Sequence, residues 1–303
     1  MSPQLMRPAE PVAWPQGHRA AAAFTFDVDA ESVVLVADPS SAERMSVMSH
    51  QAYGPLTGVP RLLRMLDRHR VRSTFFVPGY TAHRHPGVVR DIVAAGHEIA
   101  HHGYLHEPLA GVAPQAEASY LDRGLDALEE VARVRPVGYR APMWELTWAS
   151  PGLLADRGFL YDSSLMDADH PYELAVDDAR SLVEIPVHWG LDDWEQYCFI
   201  PAVSGTGLIE SPSKALEMWR GEYRALRDEG GCFVLTAHPF LSGRPARAAA
   251  LEELITEVVA DPGTWVAPLA EISAHVRSLA LEPRAILRPD PSDGTAFGGV
   301  SSS

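Results

Sequence analysis

The chain has 303 residues, 46% hydrophobic and 21% charged, a globular composition that excludes wholesale disorder. Asp and Glu number 40 against 25 Lys and Arg, and the formal net charge of −15 disfavours phosphate backbones and anionic lipid surfaces as partners. Cys198 and Cys232 are too few for a disulfide framework and match no paired zinc motif, so both are expected as buried thiols. No stretch reaches the run of roughly 18 to 20 apolar residues that a membrane span needs, and the first 19 residues hold no apolar core of signal-peptide length. A cytoplasmic protein with neither nucleic-acid nor membrane partners is the expectation.

Residues 1–18 hold four prolines and read as an extended arm, residues 288–303 as a Gly/Ser/Pro-rich flexible tail, and residues 19–287 as one domain. Within it, Ala21 to Phe26 reads as a buried strand. Val59 to His69, with Leu62, Leu63 and Leu66, is a helix, and Val71 to Val77 the next strand. Pro86 opens a helix that Gly96 closes. Glu98 to Ala100 is a strand, and Pro114 to Ala132 a long helix with Leu121, Leu125 and Leu128 on one face. Pro136 to Tyr139, Phe159 to Tyr161 and Leu182 to Val187 read as strands, Pro151 to Asp156 as a short helix. Ser211 caps a helix to Glu229, Cys232 to Ala237 is a strand, Arg247 to Ala260 a helix, Thr264 to Ala267 a strand and Leu269 to Leu279 a closing helix. This alternation predicts a mainly parallel sheet with helices outside, closed as a barrel or doubly wound. No G-x-G-x-x-G follows the first strand, which weakens a dinucleotide-binding reading. In a barrel, chemistry gathers on the loops after the strand ends.

Four such ends carry it here. The first strand runs into Thr25-Phe26-Asp27-Val28-Asp29, which projects both aspartates to one side. Adjacent carboxylates tolerate each other only around a cation, a metal or a shared proton; a polar strand end that caps a helix is the plainer alternative. After the third strand, His102 and His106 stand four apart, a spacing that in a helical turn lets two imidazoles share one ion. The fourth strand delivers Arg140 and then Trp144; an arginine beside a carboxylate pair would fix and ionise one member. A late strand delivers His238.

These segments, T-F-D-x-D, H-x-x-x-H, R-x-P and L-x-x-H, together with E-I-A-H-H-G-Y-L-H-E, Y-D-S-S and H-P-F-L-S-G-R-P, resemble in order and approximate spacing the motifs of the polysaccharide deacetylase family, also called the NodB homology or carbohydrate esterase family 4 type. The wording is most similar to an intracellular branch that includes peptidoglycan-deacetylase-like proteins, cyclic-imide hydrolases and allantoinase-like ureide hydrolases. The resemblance spans about Ala20 to Leu279. It implies a distorted (β/α)7 barrel of α/β class, TIM-barrel-like. It implies that Asp29, His102 and His106 bind a divalent metal, most often Zn2+, with Co2+, Ni2+ or Fe2+ as alternatives. It further implies Asp27 as catalytic base, Arg140 as the group that orients and ionises it, and His238 as acid. Val28 separates the two aspartates, which the family's usual motif has adjacent. The family's second aspartate, which tunes the late histidine, has three candidates in Asp162, Asp192 and Asp193.

The expected activity is hydrolysis of a non-peptide C–N bond, first N-deacetylation of an acetamido compound such as an N-acetyl sugar. Ring opening of a cyclic imide or ureide is the alternative, and a catalytically inactive metal-binding barrel the alternative of another class. Trp144 is expected as a pocket wall and Asp162 as a second substrate contact. The segments Tyr161 to Tyr172 and Trp189 to Phe199 are expected to narrow the mouth around a small-molecule or saccharide substrate, the latter segment as a lid or as a subunit contact in a homo-oligomer.

Overall fold

A computed structural model describes residues 8–289 apart from 202 and 206. Its sheet comprises β1 Ala20–Asp27, β2 Thr74–Val77, β3 Glu98–His101, β4 Gly138–Tyr139, β5 Tyr161–Asp162, β6 Tyr172–Ala175, β7 Ser181–Glu184, β8 Cys232–Ala237 and β9 Thr264–Val266. The spatial order is β6-β7-β5-β4-β3-β2-β1-β8, parallel from β7 to β8, with β6 antiparallel at the far end. β1 organises it. One edge pairs with β8 from Ala21 to Phe26, and the other is divided between β9, at Ala20 to Ala22, and β2, at Thr25 to Asp27. A parallel bridge from Asp192 to Thr236 brings the chain that follows β7 alongside β8, so the sheet curls almost onto itself.

Side-chain alternation explains the two layers. Ala21 and Ala23 point inward with Phe76, Ala100, Tyr161, Val183 and Val234 and fill the barrel interior. Ala22, Phe24 and Phe26 point outward with Phe75, Phe233 and Leu235 under the helices. Small alanines on the central strand leave room for the aromatic rings opposite. Continuing the inward row, Thr25 and Asp27 reach the top of the barrel.

The helices Val59–His69 and Pro114–Ala132 lie where the apolar spacing places them, and each ends at an arginine in the left-handed region, Arg70 (φ 55°) and Arg133 (φ 57°). Ser211 caps Pro212–Glu229 by accepting from the Ser213 N–H, and Gly230 closes it at φ 80°. The helix expected from Arg247 begins at Pro245, a residue suited to a first turn. Several strands are shorter than read from sequence: β2 starts at Thr74 and β7 stops at Glu184. β6 and the helices between Ser32 and Tyr53 carry no clear periodic signal and emerge only in the fold. Val12 and Trp14 of the N-terminal arm are buried, and the Trp14 indole donates to the Gly230 carbonyl at 2.8 Å. The tail from residue 290 lies outside the described residues. Cys198 and Cys232 are free and buried. No described helix is long and apolar enough to cross a membrane.

Gly58 fixes how the first helical layer meets the loop after β8. A Cβ there would stand 2.1 Å from the Pro239 carbonyl oxygen, backbone that has no freedom to withdraw. Gly58→Ala should therefore lower unfolding stability by about 1–3 kcal/mol through overpacking, seen as a lower urea midpoint at unchanged slope.

Candidate active site

The strand ends converge on one chamber. Asp27 is the last residue of β1, and Asp29 follows two residues on; both are buried. Arg140, directly after β4, has no exposed surface and lies over the Phe76 ring at 4.1 Å. Its Nη1 donates to Asp27 Oδ1 at 2.8 Å and to Thr25 Oγ1 at 2.9 Å, while Nε donates to the Ser163 carbonyl at 3.0 Å and Nη2 to Ser163 Oγ at 3.1 Å. A buried guanidinium so saturated holds one orientation and presents its charge to Asp27.

Asp29 differs. Both of its carboxylate oxygens are buried without a hydrogen-bond partner. Around them stand His102 Nε2 at 3.5 Å, His106 Nε2 at 3.7 Å and His238 Nε2 at 3.5 Å. An unpartnered buried carboxylate is costly in the absence of a cation. Asp29, His102 and His106 offer one oxygen and two nitrogens within 4.8 Å of one another, a donor set that suits zinc-type divalent ions. The residues present thus fit a metal.

His102 is prepared for that role. Its Nδ1–H donates to the Arg140 carbonyl at 2.7 Å, which leaves Nε2 bare toward Asp29. Burial drives its pKa down to about 3, so the ring is neutral at physiological pH. The two imidazoles do not meet through a helical turn, as the spacing suggested. Residues 102–109 form an irregular loop, with Gly103 at φ 73° and His106 at φ 60°, and this double reversal brings the rings to 4.9 Å. Gly103 suits its conformation, whereas His106 holds one that non-glycine residues seldom adopt.

His238 follows β8 and faces Asp29 from the other side. Its Nδ1–H donates to Asp193 Oδ1 at 2.7 Å, and Asp192 Oδ1 lies 3.5 Å away. Asp193 is itself held by the His238 and Ser242 backbone N–H groups, at 2.9 and 3.1 Å, and by the Ser242 hydroxyl. Burial alone would depress the imidazole pKa, but Asp192 and Asp193 together with Asp29 hold it well above the ordinary histidine value. Of the three aspartates considered for this contact, Asp193 makes the hydrogen bond.

A cavity of about 90 Å³ lies over these groups, lined by Asp27, Asp29, His102, His106, Asp192 and His238 below and by Val33, Met143, Trp144, Trp189, Trp194 and Glu195 above. Trp144 stacks on Trp189 at 4.5 Å, and Trp194 meets the His238 ring edge-on at 5.1 Å. Met143 and Trp144 both have left-handed backbones, φ 57° and 51°, which turn the indole over the chamber. Asp162, expected at the substrate, is fully buried and does not line the cavity; it bonds the Ser164 hydroxyl at 2.9 Å. None of Tyr161 to Tyr172 lines it either, whereas Trp189, Trp194 and Glu195 do. Ser163, Ser164 and Ser242 support these groups without a sequence signal: the Y-D-S-S and H-P-F-L-S runs contain them, but nothing in spacing shows a serine's partner.

The sequence profile of the polysaccharide deacetylase family matches residues 43–155. A peptidoglycan deacetylase of Helicobacter pylori is 32% identical over 236 residues, which cover 69% of this chain and 80% of that protein. Among solved structures, a Mycobacterium smegmatis protein provisionally described as a polysaccharide deacetylase superposes with a TM-score of 0.93 at 64% identity, over 94% of this chain and all (100%) of the other. Puue allantoinase superposes with a TM-score of 0.76 at 25% identity, over 88% of this chain and 92% of that one. With its curled sheet matching their distorted (β/α)7 barrels and its sequence matching over most of a curated deacetylase, the chain belongs to the polysaccharide deacetylase family and is a polysaccharide deacetylase-like hydrolase.

Proposed function

We propose that the protein is a metal-dependent hydrolase of a non-peptide amide C–N bond in a small substrate. The observation that carries this reading is the division of labour between the two aspartates: Asp27 is bound to Arg140, while Asp29 keeps both oxygens free among three imidazoles. Asp29, His102 and His106 would hold the ion, Zn2+ by preference for two nitrogens and one oxygen. When bound, the metal supplies Lewis acidity, which lowers the pKa of water and polarises a carbonyl. Asp27, held in place by its ion pair with Arg140, accepts the proton of the attacking water. His238, kept protonated by its aspartates, donates to the departing nitrogen, which is too basic to leave as an anion. Trp144 and Trp189 close the roof and exclude water from the reacting groups.

Two substrate classes fit this chemistry. The deacetylase named in Helicobacter pylori favours an acetamido sugar, from which an acetyl group is removed. The likeness to an allantoinase, together with a small chamber roofed by stacked indoles, favours a flat cyclic imide or ureide. Both readings place a small neutral amide in the cavity, and neither needs a polymer groove.

Elemental analysis tests the metal site. His102→Ala, His106→Ala and Asp29→Asn should each lose the ion, whereas Asp27→Asn should retain it and lose roughly 10²- to 10⁴-fold in turnover. Swapped phenotypes for the two aspartates would reverse the roles assigned to them. A panel of N-acetyl sugars, chito-oligomers of increasing length and succinimide-like and allantoin-like rings tests the substrate. Turnover is expected on the monomeric sugars or the rings. Rates that climb with oligomer length, with rings inert, would refute the enclosed chamber, and a fully metallated protein inert toward the whole panel would favour a binding role.

A further inference from the structure

Behind Arg140, on the side away from the cavity, lie two carboxyls that the mechanism leaves unused. Asp162 of β5 and Glu184 of β7 are register partners on neighbouring strands, and both have 0% exposure. Each has one oxygen engaged. Glu184 Oε1 accepts the backbone N–H groups of Ser164 and Leu165 at 3.1 and 2.9 Å, and Asp162 Oδ1 accepts the Ser164 hydroxyl at 2.9 Å. Asp162 Oδ2 and Glu184 Oε2 have no donor, although the two side chains are within hydrogen-bonding reach of each other. Two ionised carboxylates in that position repel; a single proton between them turns the contact into a hydrogen bond.

The turn that this pair anchors is the one that grips Arg140. Ser163 accepts from Arg140 through its carbonyl at 3.0 Å and its hydroxyl at 3.1 Å, and Ser164 Oγ accepts the Ala141 N–H at 2.9 Å. We propose that Asp162 and Glu184 share one proton and, through the Ser163–Ser164 turn, position Arg140 on the carboxylate of Asp27. They are positioning residues, since neither lines the cavity. With one proton the pair carries one negative charge instead of two, which leaves more of the guanidinium charge for Asp27. Burial raises both carboxyls above the usual carboxylate range, and for Glu184 the charge of Asp162 raises it further. Among the described residues, Arg140, Tyr139 on β4 and Tyr172 on β6 also face the pair.

The catalytic consequence rests on the reading of Asp27 as base, but the shared proton does not, and the two are tested separately. Infrared spectra of the full-length protein at neutral pH should contain a protonated-carboxyl component that Asp162→Asn removes and that Glu184→Gln also removes. Either variant suffices if the other fails to fold, and a folded variant that keeps the whole band overturns the pair. Because both native pKa values are raised, the wild-type fold binds an extra proton and loses stability as pH climbs above the ordinary carboxylate pKa of about 4, whereas the amide variant, with one raised carboxyl fewer and no Asp162 charge beside Glu184, loses less. The melting-temperature difference, Asp162→Asn minus wild type, should grow with pH over that range; a flat difference contradicts the proposal. On the best amide of the panel, Asp162→Ala should lower kcat roughly 10- to 100-fold with KM nearly unchanged and metal content intact, and Asp162→Asn should restore most of the loss. An asparagine variant no better than alanine, or an effect on KM alone, overturns the positioning role. If the wild type hydrolyses nothing, the functional reading falls while the spectra and the melting curves still decide the proton.

Discussion

Three aspartates, Asp27, Asp29 and Asp192, line one chamber, a fourth, Asp193, is buried behind His238, and how their charge is balanced governs the architecture around them. Each has a different solution. Asp27 takes a guanidinium, and Asp193 takes an imidazolium and two backbone N–H groups. Asp192 accepts the Trp194 N–H at 2.8 Å and is pushed toward its neutral form by burial. Asp29 alone is left to imidazole nitrogens. In a low-dielectric chamber, like charges at these separations are separated in energy by whatever partner each acquires, which is how chemically identical side chains come to play unlike parts.

The supports extend outward in layers. Arg140 is fixed by a serine turn, the turn by two acids on adjacent strands, and His238 by an aspartate that a serine hydroxyl and the loop backbone hold in turn. Such layering limits the freedom of the reacting groups without touching substrate. The roof is different. Trp144 sits on a strained turn and Trp189 on a short helical turn, Trp189–Leu191, so the cover over the chamber is built from loops while its floor is built from strands.

Much of this was legible in the chain. Strand and helix alternation predicted a mainly parallel sheet with helices outside, the motif resemblance narrowed it to a barrel, and the six residues Asp27, Asp29, His102, His106, Arg140 and His238, found far apart in sequence, meet in one place. Motif order succeeds because parallel strands deliver their ends to one face. What stayed hidden has physical causes. The His102–His106 pair meets through left-handed backbone, which spacing cannot show. β6 forms by pairing antiparallel with β7, a tertiary choice without a strong local signal. Asp162 lay beside the right residues but on the far side of Arg140, because a two-residue strand gives no dependable account of which way its side chains turn.

The central place of β1 bears on how the molecule is made. This strand carries Asp27 and leads into Asp29, yet its neighbours include β8 and β9, which leave the ribosome some two hundred residues later. Closing so long a loop carries a large entropic penalty that local contacts cannot offset, so the barrel seals late. Until β8 docks, β1 presents an open edge and His238 is distant from Asp29. A nascent or truncated chain can therefore shape its helices and still lack a working centre, and the emerging strand edge is what a chaperone must shield during synthesis.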